Sequence, residues 1–361
     1  MGSGSMNQKE SIIWKVSLIC IITMAFYSAM LGAVEFRYNL ELATRGIYAE
    51  DSLNLLIKAM PTVRADTPLF SHNLTANMQV NLTLDQKFDF NWEIYRLWLR
   101  YASFSSEIRI GRQRLNFGPA RLLRSLQWFD QIDPEDMFQH TSGVDALLFR
   151  HFQGRSSLWL WGMLSKERLK GLEHYPSVED NIEVGGRFDF PLLTGYIGLI
   201  THYRPEVAYR PTETAEELRF GLDGRWDYVV GLWFEAAASF IRNGGEEDYS
   251  SLTLGADYSR FGMTMTAEHF LVSPVTFIDS DFFEARIRQA TALSVSYPFD
   301  IIDELSGSLY YEHETDDISA IVQWQRTYDH WKFGLGFFSY AGREETIYSG
   351  EGVVLTIQYN I

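Results

Sequence analysis

The segment "EGVVLTIQYNI" sets Val353, Leu355, Ile357, Tyr359 and Ile361 against Val354, Thr356, Gln358 and Asn360. Side chains that change character at every second residue describe a strand with one apolar and one polar face. The same rhythm opens the chain after residue 34. In "EFRYNLELATR", Phe36, Tyr38, Leu40 and Leu42 alternate with Arg37, Asn39 and Glu41. In "NLTANMQVNLTL", Leu74, Ala76, Met78, Val80, Leu82 and Leu84 alternate with Thr75, Asn77, Gln79, Asn81 and Thr83. Similar runs lie near 52–64, 93–104, 106–117, 143–153, 155–164, 181–190, 194–204, 216–227, 230–242, 249–259, 262–272, 285–298, 304–314, 317–327, 330–341 and 350–361. They predict about eighteen strands, an even number as in bacterial single-chain barrels.

Polar residues at alternate positions over a dozen residues require a wet second face, and a strand carried to the last residue predicts a sheet that closes on itself. The expected fold class is all-β: a transmembrane antiparallel β-barrel over 34–361, one domain, with short periplasmic turns and long outer loops. Backbone groups in lipid must all be paired, and a closed barrel is the only sheet that pairs them. Link lengths alternate as this predicts. Those around Ser105, Gly154, Pro191–Thr194, Tyr228–Val229, Arg260–Gly262, Pro298–Asp303 and Tyr328–His330 read as short, and those at 118–142, 165–180, 205–215 and 273–284 as long.

Aromatic residues make up 15% of the chain, with no apolar run of spanning length after residue 34. A barrel turns such side chains outward into lipid, with aromatic girdles at both interfaces. At the start, residues 1–5 read as a cloning remnant. Residues 6–33 read as a signal peptide, with Lys9 and Lys15 flanking an apolar stretch that ends near Ala29, and cleavage expected after Ala33. Cys20 lies inside this segment, so the mature chain carries no cysteine, as suits an oxidising compartment.

The formal net charge is −16, yet "IRIGRQRLNFGPARLLRS" carries Arg109, Arg112, Arg114, Arg121 and Arg124. In "EIYRLWLRYA", Tyr95, Leu97, Leu99 and Tyr101 form the apolar face, so Arg96 and Arg100 turn inward. Ile108 and Ile110 likewise put Arg109 inside. Strict alternation would aim Arg112 and Arg114 at lipid, where each charge near the midplane costs roughly 2–4 kcal/mol. A β-bulge near Gly111 is therefore expected, placing Arg112, Arg114 and Asn116 inside and Leu115 and Phe117 outside. Arg96, Arg100, Arg109, Arg112 and Arg114 then form one pore-lining basic wall. Further inward charges from alternation are Arg37, Arg45, Lys58, Arg187, Arg219, Arg225, Arg286 and Arg288, against Glu41, Glu183, Asp189, Asp223, Glu235, Asp257, Glu268 and Glu312.

The link at 118–142 contains Leu122, Leu123, Leu126, Trp128, Phe129, Ile132 and Phe138, too apolar for solvent. It is expected to fold inward as a constriction loop. Its charged residues, Arg121, Arg124, Asp130, Asp133, Glu135 and Asp136, either oppose the arginine wall to select ions or pair with it and pin the loop.

"IGRQRLNFGPARLL", with Trp128 and a Gly-Val-Asp strand start at Gly143–Asp145, resembles the pattern of alginate-export-type porins and related Gram-negative outer-membrane porin families. The resemblance covers about forty residues. It implies an eighteen-stranded barrel with an arginine-rich lumen passing anionic solutes or polymers, Arg112, Gln113, Gly118 and Arg121 matching the motif.

Other chemistry is sparse. The eight histidines show no metal-binding spacing, and no Gly-rich phosphate loop occurs. His140, Ser142 and Asp145 sit close in sequence but form no recognisable hydrolase motif. The expected function is a Gram-negative outer-membrane channel for passive diffusion of small hydrophilic, anionic solutes, with no enzyme activity, cofactor or metal. Its partners would be lipid, lipopolysaccharide against the acidic "NGGEEDYS" and "EHETDD" segments, the barrel-assembly machinery and the solute, with no nucleic acid, as a monomer or trimer. The alternatives are a structural sheath around a partner such as an electron-transfer cytochrome, or an outer-membrane hydrolase.

Overall fold

A computed structural model describes residues 34–49, 52–69, 72–130, 141, 143–173, 175–210, 213–242, 248–273, 289–340 and 350–360. The segment read as a signal peptide lies outside them. The strands are β1 (Glu35–Ala49), β2 (Ser52–Leu69), β3 (His72–Asp85), β4 (Phe90–Ala102), β5 (Ser106–Gln113), β6 (Val144–Gln153), β7 (Ser156–Leu164), β8 (Ile182–Leu192) and β9 (Gly195–Arg210). They continue as β10 (Glu213–Asp227), β11 (Gly231–Arg242), β12 (Tyr249–Arg260), β13 (Met263–Ser273), β14 (Gln289–Pro298), β15 (Asp303–Glu312), β16 (Asp317–Thr327), β17 (Trp331–Tyr340) and β18 (Gly350–Asn360).

Each strand pairs antiparallel with its chain neighbours, and β18 returns to β1 with Glu41 opposite Asn360 and Ala49 opposite Gly352. The sheet is therefore a closed, 18-stranded antiparallel barrel. Alternation decides the faces. Leu147, Leu160, Leu199, Phe220, Leu254, Leu293, Val322, Phe337 and Leu355 are exposed on the outside, one on each of nine strands. A water-facing exterior of this kind would be unfavourable on every strand, whereas lipid takes it without cost. Phe104, Tyr228, Phe261, Tyr297, Tyr328 and Trp331 are exposed at the short-turn rim, where an aromatic girdle is placed in a membrane barrel.

The structure departs from the alternation reading in two places. The link read at 205–215 is largely strand, because β9 runs to Arg210 and β10 starts at Glu213. Pro205 signals a break in the sequence, but here a register irregularity sits beside it: Ala215 pairs with Val207 and Glu217 with Arg204. The extra residue on β9 lets a proline without an N–H sit in the wall.

The second departure concerns the bulge expected at Gly111. The ladder passes through Gly111 without a shift, pairing Trp98 with Gly111, Leu97 with Arg112, and Arg112 with Asp145. The shift lies one strand earlier, at Tyr95, where Gln79 pairs with Arg96 but Val80 pairs with Ile94. Gly111 is needed for another reason. Its φ is +115°, and a Cβ there would stand 2.2 Å from the Leu97 carbonyl oxygen.

Candidate pore constriction

After β5 the chain leaves the wall and crosses the interior. Leu115, Phe117, Leu126, Trp128 and Phe129 are buried against Val144, Ala146, Leu148, Trp161, Met163, Ile200 and Ala237 on the inner wall. Leu115 and Phe117, expected on the outer face, are thus part of an internal apolar cluster. Phe117 stacks on Trp161 at 5.2 Å between ring centroids, and Phe129 meets the His202 ring edge-on at 4.7 Å. Residues that begin as an amphipathic strand end as an apolar anchor because the inner wall over β6–β11 offers apolar cover and the solvent does not.

The far end of the segment is held by polar groups of β11–β13. Glu235 accepts the backbone N–H of Ala120 at 2.8 Å and of Leu126 at 2.9 Å. Glu268 accepts those of Arg121, Leu122 and Leu123 at 2.7, 2.9 and 2.6 Å. Thr253 donates to the Leu123 carbonyl at 2.8 Å, and its hydroxyl lies 2.9 Å from that of Ser125. Gly118 takes a φ of +78° at this point, and any Cβ would lie 2.0 Å from a Glu235 oxygen. The segment from 118 to 130 is therefore an inward-folded loop fastened at both ends. Asp133, Glu135 and Asp136 lie outside the described residues, as do Ile132 and Phe138.

The arginines divide into two groups. Arg100, Arg109 and Arg150 converge on one buried carboxylate, Glu107, at 2.6, 3.6 and 3.2 Å. Arg109 lies over the Trp98 ring at 4.7 Å and Arg150 over the Trp159 ring at 3.5 Å, so stacking fixes both guanidinium planes. Three positive charges on one negative leave a net of about +2 at this inner-wall cluster, with the Nε of both Arg109 and Arg150 unpartnered.

Arg96 and Arg112 are structural. Arg96 is buried and donates to the Thr141 carbonyl at 2.6 Å, pinning the return leg of the loop. Arg112 shares its strand face with Ile108 and Ile110, contrary to the pore-lining expectation. It makes a two-pronged bond to Asp145 at 2.9 and 3.0 Å and donates to the Ile94 carbonyl at 2.9 Å. Lys166 adds a second cation to Asp145 at 2.9 Å. The charge near the strand end is thus met by partners rather than by a change of phase, so no inserted residue is required. Asp145 is taken up by this pairing, while His140 and Ser142 lie outside the described residues.

Arg114, past the end of β5, is half exposed and 3.8 Å from Asp130. Arg124 binds Asp130 directly and donates to the Phe117 carbonyl at 3.2 Å. Burial pushes the Asp130 carboxyl up, with Arg124 acting against it. Arg121, exposed, reaches Asp257 on β12 at 3.6 Å. Of the loop charges, then, Asp130 pairs within the loop and Arg121 with the opposite wall. Arg286 and Arg288 lie outside the described residues.

A second feature was not read from the sequence. The link 165–181 folds inward and places Lys170, Glu173 and Ser177 beside Glu183, His202, Arg204, Glu217 and Arg219, all buried. Lys170 and Arg204 bind Glu183 and Glu217, and Arg219 reaches Glu217 at 2.8 Å and Glu173 at 3.3 Å. Burial pulls the Lys170 ammonium down, with Glu173 opposing. Alternation had marked Glu183 and Arg219 as inward. The cover came from a link whose fold has no periodic signature.

No family model and no curated protein matches this chain. Solved structures with the same fold include OccD3 (OpdP) of Pseudomonas aeruginosa, at TM-score 0.62 and 8% identity, covering 90% of this chain and 91% of that one. OccK2 (OpdF) of the same organism, in complex with glucuronate, matches at TM-score 0.63 and 9% identity, over 91% and 98%. OccAB1 of Acinetobacter baumannii matches at TM-score 0.60 and 7% identity, over 91% and 96%. At these identities the likeness is one of fold: that of Gram-negative outer-membrane porins.

Proposed function

We propose that this chain is an integral outer-membrane porin that passes small hydrophilic, anionic solutes by diffusion. The observation that carries the reading is the segment 118–130, fastened across the interior from β5 to β11–β13 inside a closed barrel whose strands β14–β16 turn the half-buried Ser294, Ser296, Ser306, Ser308, Gln323 and Gln325 inward. A pore narrowed by its own loop, with charge displayed beside the gap, selects ions by field and size. The long-link rim would face outward and the short-turn rim the periplasm, and no cofactor or covalent step is involved.

Anion preference rests on the cluster Arg100, Arg109 and Arg150 around Glu107. Guanidinium groups fixed by tryptophan stacking suit carboxylate recognition, and glucuronate, bound by OccK2, is a carboxylate. The resemblance of residues 110–123 to alginate-export-type porins fits the same reading, since Gly118 and Arg121 lie in the inward-folded segment. Planar-bilayer recording of purified protein is the test. Ion current with anion-selective reversal potential, weakened in Arg100→Ala plus Arg109→Ala and unchanged in Arg112→Ala, is the expected result. Absence of current overturns the channel.

A further inference from the structure

The outer face of the barrel is indented over β7–β13, where a groove of about 950 Å³ opens on the apolar side of the wall. Along it Leu160, Gly186, Thr201, Phe220, Ala238 and Ser250 stand opposite one another from strand to strand, forming one register row across β7 to β12. In the adjacent row Phe188, Leu199 and Leu222 are bulky and exposed, so they border the groove, while Gly186, Ala236 and Ala238 leave it deep. The outward side chains of the row are apolar except for the hydroxyls of Thr201 and Ser250. Side-chain relaxation would close a dent in an unbraced sheet, but this one is supported from the lumen side. A Cβ on Gly221, the inward residue next to Phe220, would stand 2.7 Å from Leu126 and 3.2 Å from Ile200 and Trp128, and Ala237 belongs to the same inner cluster. The loop's apolar anchor backs the wall here, so the groove is preformed.

The course of the groove selects its occupant. Strands lie about 4.8 Å apart, so a row across six of them is roughly 24 Å long. Leu160 stands four residues from the short-turn end of β7 and Ser250 ten residues from that of β12, so the row climbs toward the long-link rim. With strands tilted about 35–45°, the climb is roughly 14–17 Å, the depth of one leaflet of a ~30 Å hydrocarbon core. Two barrels side by side touch along a strip running from rim to rim, so a second copy would bridge an oblique groove rather than fill it. A flexible hydrocarbon chain can follow the row. Arg242 lies exposed on the same face of β11, four residues past Ala238 toward that rim, and a guanidinium there suits a lipid phosphate.

We propose that the groove is a binding site for one acyl chain of lipopolysaccharide, which enters past Ser250 with a phosphate toward Arg242 and lies against Ala238, Ala236 and Gly186. This rests on the outer-membrane reading given above, which turns the long-link rim outward.

Two measurements test it. The unmodified protein, in vesicles containing lipid A with a photoreactive diazirine on one acyl chain, should crosslink mainly at Gly186, Thr201, Ala236 and Ala238 rather than evenly around the barrel. Native mass spectrometry of protein extracted from outer membranes in mild detergent should show one lipopolysaccharide retained. Ala236→Phe plus Ala238→Phe should cut that retention about tenfold or more, because the loss of a few buried methylenes suffices. Arg242→Gln should lower it several-fold, and Ala320→Phe, on the outer face of β16, should leave it unchanged. Crosslinks spread evenly, or equal losses from the β11 and β16 substitutions, overturn the site. Equal crosslinking by a photoreactive phosphatidylethanolamine, with retention indifferent to Arg242→Gln, overturns the assignment to lipopolysaccharide. Retained lipid without ion current leaves the groove standing and removes the channel reading, and current without retained lipid does the reverse.

Discussion

The two halves of the barrel interior are built on opposite principles. From β5 to β13 the inner face is filled: Arg187, His202, Arg204, Glu217, Arg219, Asp223, Glu235, Thr253 and Glu268 are buried beneath the loop 114–130 and the link 165–181. On β14 to β16 the inner positions include Ser294, Ser296, Ser306, Ser308, Gln323 and Gln325, uncharged and half-buried, with Glu304 accepting from Ser296. Ile47, Phe338 and Val354 of β1, β17 and β18 form a separate buried apolar cluster. The same period-two wall thus carries dense ion pairs where another segment covers it, and hydroxyls and amides where it stays wet. Charges taken from water need partners at close range, whereas a side chain facing a water-filled gap needs none.

Mutations should separate the two halves sharply. The largest effects are expected in the covered half. Glu217→Ala would leave Arg204 and Arg219 buried with only the longer contacts to Glu173, at 3.8 and 3.3 Å, and it should cost about 3–5 kcal/mol of unfolding free energy in urea titrations from lipid vesicles. Phe129→Ala, which removes the ring packed on His202 and Trp161, belongs in the same range of about 3–5 kcal/mol. An equal loss from Gln323→Ala would end the distinction between the halves.

Arg112→Ala sharpens the boundary. It removes the two-pronged partner of Asp145 but leaves Lys166 in place, so a loss of about 1–3 kcal/mol is expected, with reversal potential unmoved. A clear shift in selectivity would return Arg112 to the pore wall. The smallest effect belongs to Ser308→Ala on the wet wall, within about 0.5 kcal/mol of the unmodified protein. Its consequence should appear, if anywhere, in single-channel conductance.

Much of this was legible from residue order alone. The strands at 74–84, 317–327 and 350–361 fall within about two residues of the observed β3, β16 and β18, because each is amphipathic with period two and ends at turn residues. The inward crossing of the loop could be anticipated from Leu126, Trp128 and Phe129, which have no place in solvent. Arg112 could not be placed, since alternation fixes only the face of a residue. It does not reveal that Asp145, more than thirty residues on, stands directly opposite. Arg150 and Glu107 were missed for a related reason: three arginines gather on one carboxylate only after β4, β5 and β6 are laid side by side.

The sequence by itself determined a closed antiparallel barrel of about eighteen strands, the apolar outer face of most of them, with β5 the exception beyond Gly111, and that the long apolar link must turn inward. Local alternation suffices for these, because every residue pair two apart carries the same instruction. The tertiary structure decided where the loop lands, which carboxylates receive its amides, and which carboxylate each arginine meets. The first two of those choices join groups more than a hundred residues apart, as Ala120 to Glu235 and Arg121 to Glu268. A hydrogen bond across the lumen leaves no period in the chain: it depends on two surfaces meeting, and only the closed barrel brings them together.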